Sequence, residues 1–187
     1  MHGETQRLES LINQLLEVAR LDAIGRQSAR EDVVVVPLLK TCASAVSVQY
    51  RLDHAETFHF DVEDSVITAS PMVLEAIFRN LFDNAIKYGG EPPRVEVKVK
   101  VKKSKVVVQV ADNGLGIPPE IRKNILKMFY RGGEELQRRQ KGTGLGLYIV
   151  QTLIRKLGGK LNIKGRGELS GSEFEVELPG KAAPCES

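Results

Sequence analysis

The spacing of hydrophobic residues changes several times along this chain, and each change marks an expected element. From Glu4 to Ile24 the apolar positions Leu8, Leu11, Ile12, Leu15, Leu16, Val18, Ala19 and Ile24 follow a helical period. The stripe is broad, so this helix wants a partner, either a second helix of a bundle, another copy of itself or the rest of the domain. Gly25 to Arg30 is polar and without period, which reads as a linker. After a short extended run at Val33 to Val36, Pro37 is expected to open a helix to about Tyr50, burying Leu38, Leu39, Cys42, Ala45 and Val46. Short strands at Thr57 to Val62 and Ser65 to Thr68 flank the turn residues Glu63 and Asp64.

The stretch SPMVLEAIFRNLFDNAIKYG follows, with Ser70 as a good N-cap, Pro71 suited to the first helical position and Gly89 as a stop. Leu74, Ile77, Phe78, Leu81 and Ala85 make most of this helix apolar, so it should be largely buried. Arg94 to Lys102 and Lys105 to Ala111 form a hairpin whose second strand is apolar enough to be buried on both faces. Pro118 and Pro119 start a further helix with Ile121, Ile125, Leu126 and Phe129 inward. The charged stretch Arg131 to Lys141 has no period and reads as a lid-like loop. Tyr148, Ile149, Leu153 and Leu157 then mark a helix closed by Gly158 and Gly159. Strands at Lys160 to Lys164 and Ser172 to Leu178 precede a frayed tail from Gly180 to Ser187.

Composition adds limits. A chain of 187 residues with 42% hydrophobic content has room for one ordinary domain plus an appendage. The net charge of +3 is mild, and the densest basic run, Lys98 to Lys105, alternates with Val95, Val97, Val99 and Val101 as a strand with one wet face does. Nucleic acid is therefore not an expected partner. Cys42 and Cys185 have neither metal-ligand spacing nor the look of a disulfide framework, which fits a reducing compartment. With no signal peptide and no apolar run near 18 residues, the chain is expected to be soluble, even as a piece of a longer membrane-bound protein.

Three places carry candidate chemistry. Steps of four and three put Asn80, Asn84 and Lys87 on one helix face. Amide oxygens followed by a Lys suit a metal ion that is itself bound to phosphate, and equally suit two buried amides bonded to neighbouring backbone. The helix alone leaves both open. At the end of the second hairpin strand, Gly114 and Gly116 display Asp112 beside a flexible turn. Finally, the glycines of Gly142-Thr143-Gly144-Leu145-Gly146-Leu147 at a helix start free backbone N–H groups for an anion, with phosphate the expected guest. No strand directly precedes these glycines, so a dinucleotide-binding fingerprint does not fit, and the Walker pattern is absent.

In order, the motifs are NLFDNAIKY, DNGLGI, MFYRG and GTGLGL. This set resembles the N, G1, F and G2 boxes of the catalytic, ATP-binding domain of bacterial sensor histidine kinases, members of the GHKL ATPases with the Bergerat fold. The resemblance covers Val33 to Pro179. It implies an α/β two-layer sandwich, a mixed sheet with three helices on one face, preceded by an N-terminal amphipathic helix. RLESLINQLLEVARLD looks like the second helix of the family's dimerisation and phosphoacceptor hairpin. The implied organisation is a partial hairpin at 1–25, a linker at 26–32, the catalytic domain at 33–180 and a tail at 181–187.

The resemblance also implies roles. Asn84 would carry Mg²⁺, with Asn80 next to the metal and the γ-phosphate, these two being the catalytic pair. Lys87 would reach phosphate and Tyr88 would line the base pocket. Asp112 would accept a hydrogen bond from the adenine amino group, with Gly114, Gly116, Ile117 and Phe129 shaping the nucleotide pocket. Arg131 would approach the phosphates from the lid, and Gly142, Thr143, Gly144, Leu145, Gly146 and Leu147 would hold them through backbone N–H groups. The implied reaction is donation of the γ-phosphoryl group of ATP to a His on the phosphoacceptor helix, for relay to a response regulator. The implied setting is a cytoplasmic domain of a homodimeric parent anchored in the inner membrane.

The chain departs from the family at Leu126 and Lys127, where the F box usually has Phe and an acidic residue. It also lacks a His followed by an acidic residue with a Pro a turn later, since His2, His54 and His59 have no such context. Alone, it is expected not to phosphorylate itself. The rival readings are a degenerate regulatory module that signals through its dimerisation helix, and a Ser/Thr kinase of the anti-sigma-factor type or an ATPase. The ARLD ending of the first helix argues against the latter two.

Overall fold

A computed structural model describes residues 29–127, 145–166 and 170–184. The expected first helix, the linker up to residue 28, the lid stretch and the glycines before Leu145 lie outside the described residues. Strand β1 (Glu31–Val34) leads into helix α1 (Val35–Tyr50), which starts two residues before the expected Pro37. Proline is tolerated in a first helical turn, where its missing N–H is no loss, and the early start buries Val35 and Val36 with Leu39, Cys42 and Val46. The α1 helix ends at Arg51 in a left-handed conformation. Asp53 then accepts N–H bonds from Ala55 and Glu56 through Oδ1, capping a one-turn helix α2 (His54–Thr57). That cap takes Thr57 out of the strand expected for it.

Strands β2 (Phe58–Val62) and β3 (Ser65–Ala69) are consecutive yet lie in different sheets. Helix α3 (Pro71–Lys87) follows, then the hairpin β4 (Val95–Lys102) and β5 (Lys105–Asp112). The expected helix after Pro118 is a single turn, α4 (Pro119–Arg122). Beyond it, Asn124 and Lys127 donate N–H bonds three residues back and Ile125 donates one four back to Ile121, a run of turns rather than a continued helix. Ile121, Ile125 and Leu126 are consequently half-buried rather than core. The remaining elements are α5 (Gly146–Lys156), β6 (Lys160–Gly165), β7 (Ser172–Pro179) and β8 (Lys181–Ala182).

The main sheet has the order β2-β4-β5-β7-β6, with β2 parallel to β4 and the other pairs antiparallel. A smaller sheet joins β1, β3 and β8. The expected frayed tail is therefore pinned at its start, where Lys181 and Ala182 pair with Val66 and Ser65. Helix α3 packs between α1 and α5 and lies over β5. Its Leu74, Ile77, Phe78, Leu81 and Phe82 are all at most 1% exposed, each stabilising the fold by roughly 1.5–3 kcal/mol. This is the α/β sandwich with a mixed sheet that the motifs imply. Among the described residues no helix is long and apolar enough to cross a membrane.

The near-apolar strand β5 has a physical reason other than helices on both sides. Val106, Val108 and Val110 join the core, while Val107 and Ala111 alternate with Gln109 toward the opposite face. In register, Val107 lies between Lys100 and Glu177, and Ala111 between Glu96 and Glu173. Lys105 pairs with Glu177, Lys164 pairs with Glu175, and Gln109 donates to both Glu173 and Glu175. These long side chains form a canopy that leaves Val107 only 5% exposed. Burial acts to raise the Glu175 carboxyl, but hydrogen bonds from Lys164, Asn162 and Gln109 outweigh it and hold the group below the ordinary carboxylate range.

Candidate functional site

Ser70 starts α3 with an extended backbone and Pro71 occupies the first turn, but the Ser70 side chain makes no cap bond and its buried hydroxyl has no partner among the described residues. The helix places Asn80, Asn84 and Lys87 on one face as the spacing predicts. Asn80 donates from Nδ2 to the Ala76 carbonyl at 2.8 Å, which leaves its Oδ1 free to face outward from the helix. Opposite lies the first residue of α5. A Cβ built on Gly146 would stand 2.9 Å from Asn80 Oδ1 and 3.9 Å from Asn84 Nδ2. A side chain at this position would make the end of the Asn80 amide shift, so α5 starts in close approach to the Asn face. Asn84 Nδ2 is buried and has no hydrogen-bond partner among the described residues. Such orphans are rare in native folds and call for an explanation. Among the described residues no side chain caps the start of α5, whose first N–H groups have no partner within the helix.

The other end of the site is built around Asp112, the last residue of β5 and only 4% exposed. Its Oδ1 accepts N–H bonds from Gly114 at 2.8 Å and Ser172 at 3.2 Å. Burial pushes the carboxyl above its ordinary range, with those two N–H groups and the Arg166 charge acting only as partial compensation. Two backbone approaches enclose it. A Cβ on Gly114 would fall 1.8 Å from the Tyr88 carbonyl oxygen, and one on Gly171 would fall 1.9 Å from the Asp112 carbonyl oxygen. Arg166 donates to the same Asp112 carbonyl and pairs through Nη2 with Glu96 at 2.6 Å. Asn113 accepts from the Gly90 and Arg94 N–H groups and donates to the Pro92 carbonyl, tying the loop after Tyr88 to the strand end.

The structure therefore brings the Asn face together with Gly146, and Asp112 and Gly114 together with Tyr88. Tyr88 is itself 43% exposed beside this end. Gly116 has a φ of 82°, in the left-handed region the glycine pattern anticipates, and Ile117 is half-buried. Leu145 is a core side chain, so only its backbone is available, while Leu147 is half-buried. Phe129, Arg131, Gly142, Thr143 and Gly144 lie outside the described residues. Arg166, Gly171 and Ser172 were not anticipated as site residues. The only sequence signal for them is a glycine and serine rich turn between two strands, and nothing in the chain announces that β7 lies beside β5.

Residues 69–182 match the sequence model of the histidine kinase-, DNA gyrase B-, and HSP90-like ATPases. The chain belongs to this family. As an ATPase-family domain it binds ATP, and its relatives are sensor histidine kinases. It is 32% identical over 183 residues to the sensor histidine kinase GlrK of Escherichia coli (strain K12), a match covering 96% of the chain and 37% of GlrK. Among solved structures, full-length ShkA in complex with AMPPNP superposes with a TM-score of 0.72 at 29% identity, covering 95% of this chain and 37% of ShkA. The catalytic domain of the histidine kinase ThkA superposes with a TM-score of 0.68 at 25% identity, covering 80% of this chain and 95% of that domain. The chain thus spans little more than a third of the length of GlrK, and ThkA's catalytic domain is the part of such kinases that its described fold matches.

Proposed function

We propose that this chain is the ATP-binding catalytic domain of a two-component sensor histidine kinase and donates the γ-phosphoryl group of ATP to a His on the phosphoacceptor helix of the same kinase. The observation that carries the reading is the contact between the Asn face of α3 and Gly146 at the uncapped start of α5, which joins two distant motifs in space. Asp112 holds the adenine amino group at one end and Tyr88 lines the base. At the other end the α5 N–H groups and Lys87 hold phosphate oxygens, aided by the helix dipole. Asn84 and Asn80 would offer amide oxygens to Mg²⁺, and a bound ion would neutralise phosphate charge there. The residues fit such an ion only in company with phosphate, because among the described residues no three His, Cys, Asp or Glu side chains gather into a metal site.

This set supplies positioning and charge neutralisation without a nucleophile of its own. The bond from the γ-phosphorus to the bridging oxygen breaks as one to the acceptor imidazole forms, with ADP as leaving group. In the parent, the helix at 4–24 belongs to a dimeric hairpin, the domain at 33–180 is cytoplasmic, and a response regulator takes the phosphoryl group from the His.

Radiolabelled Mg-ATP provides the test. The chain alone should bind nucleotide yet show no acid-labile, base-stable phosphohistidine. Adding the complete phosphoacceptor hairpin should give labelling on the added protein only. Binding without any transfer would favour a regulatory nucleotide-binding module, and phosphohistidine on His2, His54 or His59 would overturn the assignment of the acceptor.

A further inference from the structure

Asp83 lies on α3 immediately before Asn84, and both of its carboxylate oxygens are engaged. Oδ1 accepts the Tyr50 hydroxyl at 2.6 Å, with Gln49 Nε2 at 3.5 Å, and Oδ2 accepts from Lys87 Nζ at 2.5 Å. Tyr50 is the last residue of α1, so this chain of contacts runs from one helix, across the carboxylate, to the Lys on the Asn face of the next. The Lys87 and Asp83 side chains are 30% and 22% exposed, partly enclosed between the helices. Burial, and then the hydrogen bond and charge of Asp83, push the Tyr50 hydroxyl above its ordinary range, so it stays a donor at neutral pH.

An ammonium has three donors, and Asp83 takes one. A Lys side chain has much rotamer freedom to lose when its head is fixed, and a pair formed in advance absorbs part of that loss before any ligand arrives. The carboxylate also brings a negative charge near the phosphates. That charge acts through a partly exposed, screened environment and is shared with the Tyr50 hydroxyl, whereas fixing the ammonium acts at the point of contact. We propose that Asp83, held by the Tyr50 hydroxyl, is a positioning residue that keeps the Lys87 ammonium beside the phosphate end of the nucleotide site. This rests on the proposed function, since it needs phosphate at Lys87.

The experiment is calorimetric titration of the full chain with Mg-AMPPNP across a double-mutant cycle of Asp83→Ala and Lys87→Ala. In the wild-type background Asp83→Ala should weaken binding about 5- to 10-fold, the equivalent of roughly one hydrogen bond, and in the Lys87→Ala background by less than about 2-fold. Tyr50→Phe, which keeps the ring packing, should give the same pattern with a smaller loss. It also serves as the leg of the cycle if Asp83→Ala melts too low to titrate. Equal losses in both backgrounds would mean that Asp83 only braces α1 against α3, and overturn the proposal. Unchanged or tighter binding by Asp83→Ala would mean that the carboxylate competes with phosphate, and would overturn it as well. A wild-type chain that fails to bind Mg-AMPPNP would end the proposed function too, whereas normal wild-type affinity without coupling ends the Asp83 proposal alone.

Discussion

At the Asp112 end of the site a buried carboxylate oxygen accepts two backbone N–H bonds, whereas at the Asn84 end a buried amide nitrogen finds no acceptor among the described residues. Both are polar groups on elements of the same core. The first is satisfied by the chain's own backbone, so folding alone fixes its geometry. The second carries an uncompensated cost of about 1–3 kcal/mol until something supplies a partner. One end of the site is therefore complete before any ligand arrives, and the other is left for a ligand to complete. Substitutions at the two ends should consequently separate stability from binding in opposite ways.

The largest effect is expected from Asn84→Ala. Removing an orphaned amide relieves a desolvation cost, so the thermal midpoint should stay or rise slightly, with stability changing by less than about 1 kcal/mol. Mg²⁺-dependent transfer to an added phosphoacceptor hairpin should fall below detection, because the proposed metal oxygen is gone. Thermal melts with and without Mg-ATP read both quantities. A large fall in the midpoint with nucleotide binding unchanged would make Asn84 a structural residue and remove the contrast.

Asp112→Asn should have an intermediate effect of a different kind. The amide oxygen can still accept from Gly114 and Ser172, so the fold should survive, while the hydrogen bond from adenine loses its charged acceptor. ATP affinity should drop by about 1–3 kcal/mol with discrimination against GTP weakened, measured by calorimetry with both nucleotides. The pH dependence sharpens this. The folded-state carboxyl titrates above its ordinary value of 3.8. The folded chain thus holds a proton where the unfolded one has lost it. That contribution to stability is fully present below the ordinary value and is lost as pH rises through the raised folded value. Wild-type stability relative to the Asn variant should fall over that window. ATP affinity of the wild type should in turn weaken on acidification sooner than an unperturbed Asp would predict.

How far all this was legible differs between the same two ends. The Asn face followed from helical spacing alone, because positions 80, 84 and 87 share a face in any regular helix. Its contact with Gly146 did not, since it joins residues 62 or more apart in sequence, and only the matched order of four motifs suggested that they converge. Asp112 was legible from the glycines that follow it. Its second N–H donor was not, because Ser172 reaches it through a strand order that places β7 beside β5. The fold shows the same division. Elements with long runs, such as α3 and the β4-β5 hairpin, were legible nearly to the residue. The start of α1, the turn of α2 and the pairing of β8 were set by caps and by distant partners. The helix expected after Pro118 was overread because three half-buried apolar residues in a turn have the spacing of a helix face.

The smallest expected effect tests whether an orphaned group marks a ligand site or merely a local packing compromise. Ser70 Oγ, like Asn84 Nδ2, is buried without a partner among the described residues, and it sits at the start of the same helix. Fourteen residues of helix separate them by about 21 Å, so Ser70 cannot share a ligand with Asn84. A capping Ser usually stabilises a helix by about 1 kcal/mol, but here the hydroxyl makes no cap bond and Pro71 already fixes the first turn. Ser70→Ala should therefore shift stability by less than about 0.5 kcal/mol and leave ATP affinity unchanged. Chemical denaturation and a single calorimetric titration measure both. A loss near 1 kcal/mol would show that the hydroxyl caps α3 in solution after all. A change in ATP affinity would instead show that orphaned groups on α3 respond to nucleotide wherever they lie, and the special standing of Asn84 would go with it.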